Sequence, residues 1–523
     1  MRRLVLVLAL ALLPAPAPGQ TAPGLTPAIR LAWWTDAGFL TPFAVSILGP
    51  AGVTRLTLIY DTLVWKDGRG VIPWLAVSWR ASPDGAAYVF TLRPDVRWHD
   101  GTPLTARDVR FSFEYYRRHP FRWIDTSVVS GVEVRDRRTV VIRLARRYAP
   151  FIENVAGTVP IIPEHVWQGI EHPEQEQTLA SAVGSGPYRL AEYRPESGQY
   201  RLVAFDDYFR GRPLVREIQY LVIPQERQML AVQSGQVDAG VTTTRDALAL
   251  FAGHPYLRVL ETEPLSIARL VLNLDHPVTG QRGFRQAVAH ALDRRRIADT
   301  ATRGPGIAGN PGVVPPTSAW FNPRVRRYPY DPAAARGLLR ELGYIDRDGD
   351  GWLEQRDGTR LVVGLVAGPT ADAEVIRQML KDVGIEVRVR TVDPATRAQL
   401  AAEGRFEMLY TTHIGSGGDP DYLRTWFTGE AANQFASGSA MRSPEFVRLA
   451  ALQLAELDPA RRRVHVDRMQ ALLSEELPTL TLYYRRFFWV YDGRKFAPFA
   501  TQGGLLNGIP LVDNKLAFLP GGR

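Results

Sequence analysis

Turn signals fall so close together between Leu56 and Glu114 that the stretch has room only for short elements. Lys66-Asp67-Gly68, Pro83-Asp84-Gly85 and His99-Asp100-Gly101 each set a bend, because Pro presets φ and Gly reaches φ > 0 without a Cβ clash. Thr57 to Trp65 mixes β-branched and aromatic residues and reads as a strand entering the first turn. Tyr88 to Leu92 alternates as a half-buried strand does. Thr105, with Asp108 three residues on, predicts a helix start, and the apolar positions Val109, Phe111, Phe113 and Tyr116 follow it.

The order of Tyr60-Asp61-Thr62-Leu63-Val64, Pro73-Trp74-Leu75-Ala76, Tyr88 to Arg93 and Trp98-His99-Asp100-Gly101-Thr102-Pro103 resembles the signature region of the extracytoplasmic solute-binding proteins of family 5. These are the peptide, oligopeptide and nickel binders that serve ABC importers. The resemblance implies an α/β fold of the periplasmic-binding-protein type II kind, two-lobed and with an extra inserted domain. It divides the chain into a discontinuous first domain (20–58, 184–267 and 484–523), an insertion (59–183) and a second lobe (268–483). The implied function is capture of a small organic solute, peptide-like or oligosaccharide-like, in the cleft between lobes. The implied partners are ABC permease subunits with a cytoplasmic ATPase, and the protein itself is expected to be a monomer without catalysis. Two alternatives stay open: a secreted hydrolase, and a ligand-sensing partner of a membrane receptor.

Length and composition agree with that division. At 523 residues the chain holds two or three domains of ordinary size. The net charge of +9 is carried by Arg, since Lys66, Lys381, Lys495 and Lys515 are the lysines. The arginines are scattered among acids, and neither zinc spacing nor a basic helix accompanies them, so a nucleic-acid partner is not expected. Cysteine is absent, which excludes disulfides, thiolate metal sites, Cys nucleophiles and a lipidated N-terminal Cys. Arg2-Arg3, the apolar run Leu4 to Leu13 and Ala17-Pro18-Gly19 form an export signal over 1–19, with a mature start near Gln20. Ten apolar residues make a helix of about 15 Å, too short to span a bilayer. The expected location is therefore periplasmic or secreted, and not that of a lipoprotein.

Candidate ligand contacts follow from the resemblance. The strand Ile29 to Trp34 and the loop after it border the cleft, which puts Trp33, Trp34 and Asp36 there. Asn273, near the end of the strand Ala268 to Leu274, joins them. Thr411 to Tyr422 resembles the family loop ending in Gly418-Asp419-Pro420-Asp421 and is expected as a loop after the strand Phe406 to Tyr410. Gly415, Ser416 and Asp419 belong to it, His413 sits where an aromatic often stacks, and Trp426 is a further wall. Peptide-binding members commonly carry an aspartate three residues before this Asp419, to pair with the ligand's ammonium group; here the place is Ser416. Gly184-Ser-Gly-Pro-Tyr188 resembles the family's return junction and is not a serine-hydrolase elbow, because Pro187 replaces the residue that elbow needs.

One further loop carries a chemical pattern of its own. Asp346, Asp348, Asp350, Glu354 and Asp357 stand at positions 1, 3, 5, 9 and 12 of a calcium-type loop, with Gly351 at position 6. Position 12 is Asp where Glu is normal, and Asp and Gly also build plain turns, so a structural calcium and a solvated turn both remain open. No other cofactor is implied.

Overall fold

The computed structural model describes residues 26–45, 50–67, 70–121, 124–251, 253–264, 266–414, 418–429, 439–441, 443–498 and 514–520. The expected export signal, Gly415 and Ser416 lie outside the described residues. Two large sheets organise the chain. The first has seven strands in the order Leu257–Glu261, Phe488–Asp492, Ala239–Thr242, Ile29–Trp33, Glu217–Val222, Gln199–Ala204 and Tyr188–Arg194. The second has six: Ile307–Ala308, Thr479–Arg485, Ser266–Leu272, Met408–Ile414, Val362–Ala367 and Glu386–Thr391. A four-stranded antiparallel sheet, Ala76–Ala81, Ala87–Leu92, Thr139–Leu144 and Val129–Val134, comes from the segment between the first two strands of the seven-stranded sheet. No helix among the described residues is long and apolar enough to cross a membrane.

The hydrophobic cores divide with the sheets. The largest runs from Ile29 to Val241 and resumes at Trp489, joining the seven-stranded sheet to the inserted sheet in one packed body. The cores on the two faces of the six-stranded sheet draw on residues 267 to 484 alone. Two lobes without a common core can move against each other, and among the described residues two chain crossings link the sheets, Glu261 to Ser266 and Arg485 to Phe488. The crossings are bonded to one another: the Thr262 amide donates to the Phe487 carbonyl at 2.9 Å, and the Phe487 amide to Thr262 Oγ1 at 3.0 Å.

Local signals account for many of these elements. Thr105 and Asp108 form a complete capping box at the start of the helix Ala106–Arg118. The strand Ala87–Leu92 alternates in burial as its sequence does. Two stretches differ from expectation. Residues 57–59 end the helix Pro50–Ile59, and the strand begins only at Val64. Val53, Leu56, Leu58 and Ile59 are all buried, so the helix shows no polar face and its period is hidden beneath β-branched composition. Residues 411–414 continue the strand Met408–Ile414 because Thr411, Thr412 and His413 pair in register with Arg269, Ala268 and Ile267.

The first lobe is tied together around one buried carboxylate. Asp61 Oδ1 accepts from Trp74 Nε1 at 2.6 Å, Tyr208 OH at 3.1 Å and Lys515 Nζ at 2.5 Å, while Oδ2 accepts from Ser185 Oγ at 3.2 Å. Lys515 and Asp61 are both fully buried, and the ammonium sits 3.9 Å from the Trp65 ring centroid. Gly184 and Gly186 bring Ser185 there: a Cβ on either would collide with backbone of Leu58 or Ile59. Removing one partner of a buried ion pair leaves the other charge desolvated and costs about 3–5 kcal/mol. Lys515→Met is expected to lower stability in urea unfolding by that amount, and adding Asp61→Asn should recover part of it. A single-mutant loss below about 1 kcal/mol would show that the pair is not what holds the C-terminal segment.

Candidate functional site

One face of the second lobe's sheet carries a buried arginine. In the central strand Ser266–Leu272, Arg269 lies opposite Thr411 on one neighbour and Thr481 on the other, so all three side chains share that face. Arg269 is 1% exposed. Its guanidinium lies 4.4 Å from the centroid of Trp426, in the short helix Tyr422–Phe427 that covers the face. His413, two residues beyond Thr411, packs edge-on against the same indole at 4.4 Å and 80°. Burial first, and then the neighbouring Arg269, push His413 down to about 3, which leaves it neutral; burial brings Arg269 down to about 9, which leaves it charged at neutral pH.

The Gly418-to-Asp421 loop meets this face with its acids already paired. Asp419 receives both Nη groups of Arg462, at 2.5 and 2.7 Å, with both side chains buried. Asp421 is held two-pronged by Arg424 at 2.8 Å on each oxygen, and Gln453 donates to it at 2.8 Å. Across from them the insertion contributes Tyr148 and a Lys66–Glu153 ion pair. Burial raises the Tyr148 hydroxyl and the charges of Asp421 and Asp419 add to the rise. The Ala149 amide donates to the Leu454 carbonyl at 2.8 Å, so the lobes touch here.

The candidates from the first lobe are largely occupied. Trp33 is 2% exposed, between Trp34 at 4.7 Å and Trp489 at 5.4 Å, and is a core residue; Trp34 is the partly exposed member of the pair. Asp36 accepts from the hydroxyls of Tyr193, at 2.8 Å, and Tyr200, and from the Gly38 amide at 3.0 Å. Asn273 is a correction. It follows the far end of its strand, about 20 Å along from Ser266, and its amide donates to the carbonyls of Gly404 at 3.0 Å and Phe406 at 2.7 Å. It lines instead an open surface cavity of about 460 Å³ with His276, Arg390 and Glu407. Gly415 and Ser416 lie outside the described residues. Sequence reasoning missed Arg269, although a lone Arg inside the apolar run Ile267 to Leu272 was the signal for it.

In the acidic loop, carboxylate oxygens of Asp346, Asp348, Asp350 and Glu354 lie within 4.8 Å of one another. Asp357 is a second correction: its carboxylate turns away to accept from Thr359 at 2.9 and 2.6 Å. The four remaining acids also serve the turn itself. Asp346 accepts from the Gly349 and Gly351 amides, Glu354 from the Arg347 amide at 2.7 Å, and Asp350 pairs with Arg360.

Comparison with known proteins agrees with this architecture. The family model described as bacterial extracellular solute-binding proteins, family 5 Middle, matches residues 70–435. The chain is 26% identical over 461 residues to the dipeptide-binding protein of Escherichia coli (strain K12), which covers 82% of this chain and 84% of that one. It is 26% identical over 412 residues to the nickel-binding periplasmic protein of the same strain, with coverage of 75% and 76%. The crystal structure of NikA from Brucella suis in complex with Fe(III)-EDTA matches with a TM-score of 0.80 at 23% identity, covering 93% of this chain and 99% of that one. That last likeness is one of fold.

The neutral His413 has a pH consequence. In the unfolded chain the imidazole titrates near 6.5, well above its folded value of about 3. The unfolded state takes up the proton first, so this contribution to stability is present above pH 6.5 and is lost as pH falls toward 3. His413→Phe is expected to flatten that part of the stability–pH curve, measured by urea unfolding at pH 7.5 and 4.5. An unchanged slope would assign the acid sensitivity elsewhere, first to His99, which burial lowers to about 4.

Proposed function

The chain belongs to family 5 of the bacterial extracellular solute-binding proteins, and from that premise we propose that its lobes close on a small organic solute lacking a free ammonium group. The solute then passes to the permease of an ABC importer. Members of the family bind solutes and do not transform them. Relatives named for a dipeptide and for nickel differ in what they hold, so the ligand class has to come from this chain's own residues. One observation supports the reading: the aspartates available to replace the carboxylate missing at Ser416 are already committed. Asp419 is matched by Arg462, Asp421 by Arg424 and Gln453, and Asp36 by two tyrosine hydroxyls. We propose further that the mature protein starts near Gln20, carries no lipid and acts as a monomer.

A charge-assisted hydrogen bond to an ammonium group contributes about 1.5–3 kcal/mol, or about one to two orders of magnitude in Kd. Ser416→Asp is therefore expected to tighten the binding of unmodified di- and tripeptides by about ten- to a hundredfold and to leave N-acetylated peptides and oligosaccharides unaffected. Isothermal titration reads both. Tight binding of unmodified peptides by the wild type that disappears in Asp419→Asn would overturn the proposal and put the ammonium on Asp419.

Calcium at the acidic loop is a separate proposal. Asp346, Asp348, Asp350 and Glu354 would hold the ion with hard oxygen donors, in competition with Arg360. Calcium added to chelator-treated protein is expected to raise Tm, by the equivalent of about 2.7 kcal/mol at a hundredfold excess over Kd, and Asp348→Ala to abolish the effect. An unchanged Tm assigns the four carboxylates to the turn alone.

A further inference from the structure

Arg269 is a buried cation without a counter-charge among the described residues. Its Nε and Nη2 are buried and have no hydrogen-bond partner, and burial alone accounts for the lowering of its pKa. One other polar group near it shares that condition. Thr481 Oγ1 is buried without a partner directly opposite on the neighbouring strand, and the Trp426 indole lies against the guanidinium. Buried polar groups without partners are few in folded proteins, and two side by side on neighbouring strands call for a common cause. A water satisfies a hydroxyl, but a desolvated guanidinium is costly until an opposite charge reaches it. The acids nearby do not supply that charge, because Asp419 and Asp421 each have an arginine of their own. The imidazole of His413 is no substitute, being neutral.

We propose that Arg269 is the anchor for a carboxylate on the transported solute. The guanidinium presents a planar fork of N–H donors that matches a carboxylate, the Trp426 face holds it flat, and Thr481 offers a hydroxyl to the same oxygens. The cleft would then select a solute that carries an anionic group and no ammonium. This rests on the solute-binding reading above and names the chemistry that reading leaves open. Two sources present the same group, the C-terminus of a blocked peptide and a free organic acid.

The test uses the purified mature protein and four probe pools: N-acetylated di- and tripeptides with free carboxylates, the same peptides as C-terminal amides, short mono- and dicarboxylic acids, and neutral oligosaccharides. One of the two carboxylate pools is expected to bind, which identifies the source, and the amide pool to bind about ten- to a hundredfold more weakly. Arg269→Gln should remove that preference for acid over amide. Arg269→Met is expected to leave the Tm of the ligand-free protein unchanged or higher, since it deletes an uncompensated buried charge, whereas a purely structural arginine would lower it. Amides that bind as well as acids, acids that bind Arg269→Gln undiminished, or a lowered Tm in Arg269→Met would each overturn the assignment. Oligosaccharide binding with neither acid pool binding sinks the assignment and keeps the solute-binding reading, while a protein that binds none of the four sinks both. Should Arg269→Gln fail to fold, the acid-against-amide comparison on the wild type decides alone.

Discussion

The Asp61 carboxylate is the constraint on which the first lobe depends. It is fully buried, and an isolated charge there would be prohibitively expensive. Its four donors come from distant parts of the chain: Trp74 from the insertion, Ser185 from the return junction, Tyr208 from the segment beyond it, and Lys515 from the C-terminal turn. Neutralising one charge therefore brings together segments separated by up to 454 residues. The insertion consequently shares a core with the seven-stranded sheet and does not hang from it. A lobe pinned in this way can serve as a rigid jaw, which leaves motion to the two hydrogen-bonded crossings between the sheets.

The charges where the two lobes touch follow a different rule. Asp419 with Arg462, Asp421 with Arg424, and Lys66 with Glu153 are each matched at short range, so these pairs shape the walls and leave little net field. Against that neutralised lining an unmatched guanidinium stands out electrostatically. Buried positions that lower stability tend to be kept where function needs them, because a ligand that binds only the folded state returns the missing interaction. The same low dielectric that makes Arg269 costly alone makes it strongly selective for an anion.

Much of the architecture was legible in the sequence. Turn punctuation, the Thr105 capping box and the alternation of Tyr88 to Leu92 are local signals, and the structure places elements where they point. The failures have a common physical origin. Residues 57–59 lie in a helix buried on every side, where no polar face marks the period. Thr411 to His413 look like the start of a loop, but their pairing partners lie more than a hundred residues away. Asn273 and Asp357 have the right chemistry for a site, and each is turned instead toward backbone or a neighbouring threonine.

The sequence by itself determined the family, the two-lobed α/β fold and the residue types at the cleft loop, because turns, periodicity and a long ordered signature are written in neighbouring residues. Only the tertiary structure decided which charges are spent and which are free. Asp419 and Arg462 are 43 residues apart in the chain and Lys515 and Asp61 are 454 apart, so neither pairing can be read from spacing. Arg269 reads as one arginine among many until burial removes its water and leaves it with no anion among the described residues. Whether a polar group is satisfied depends on what surrounds it in space, and that is set when the sheets close.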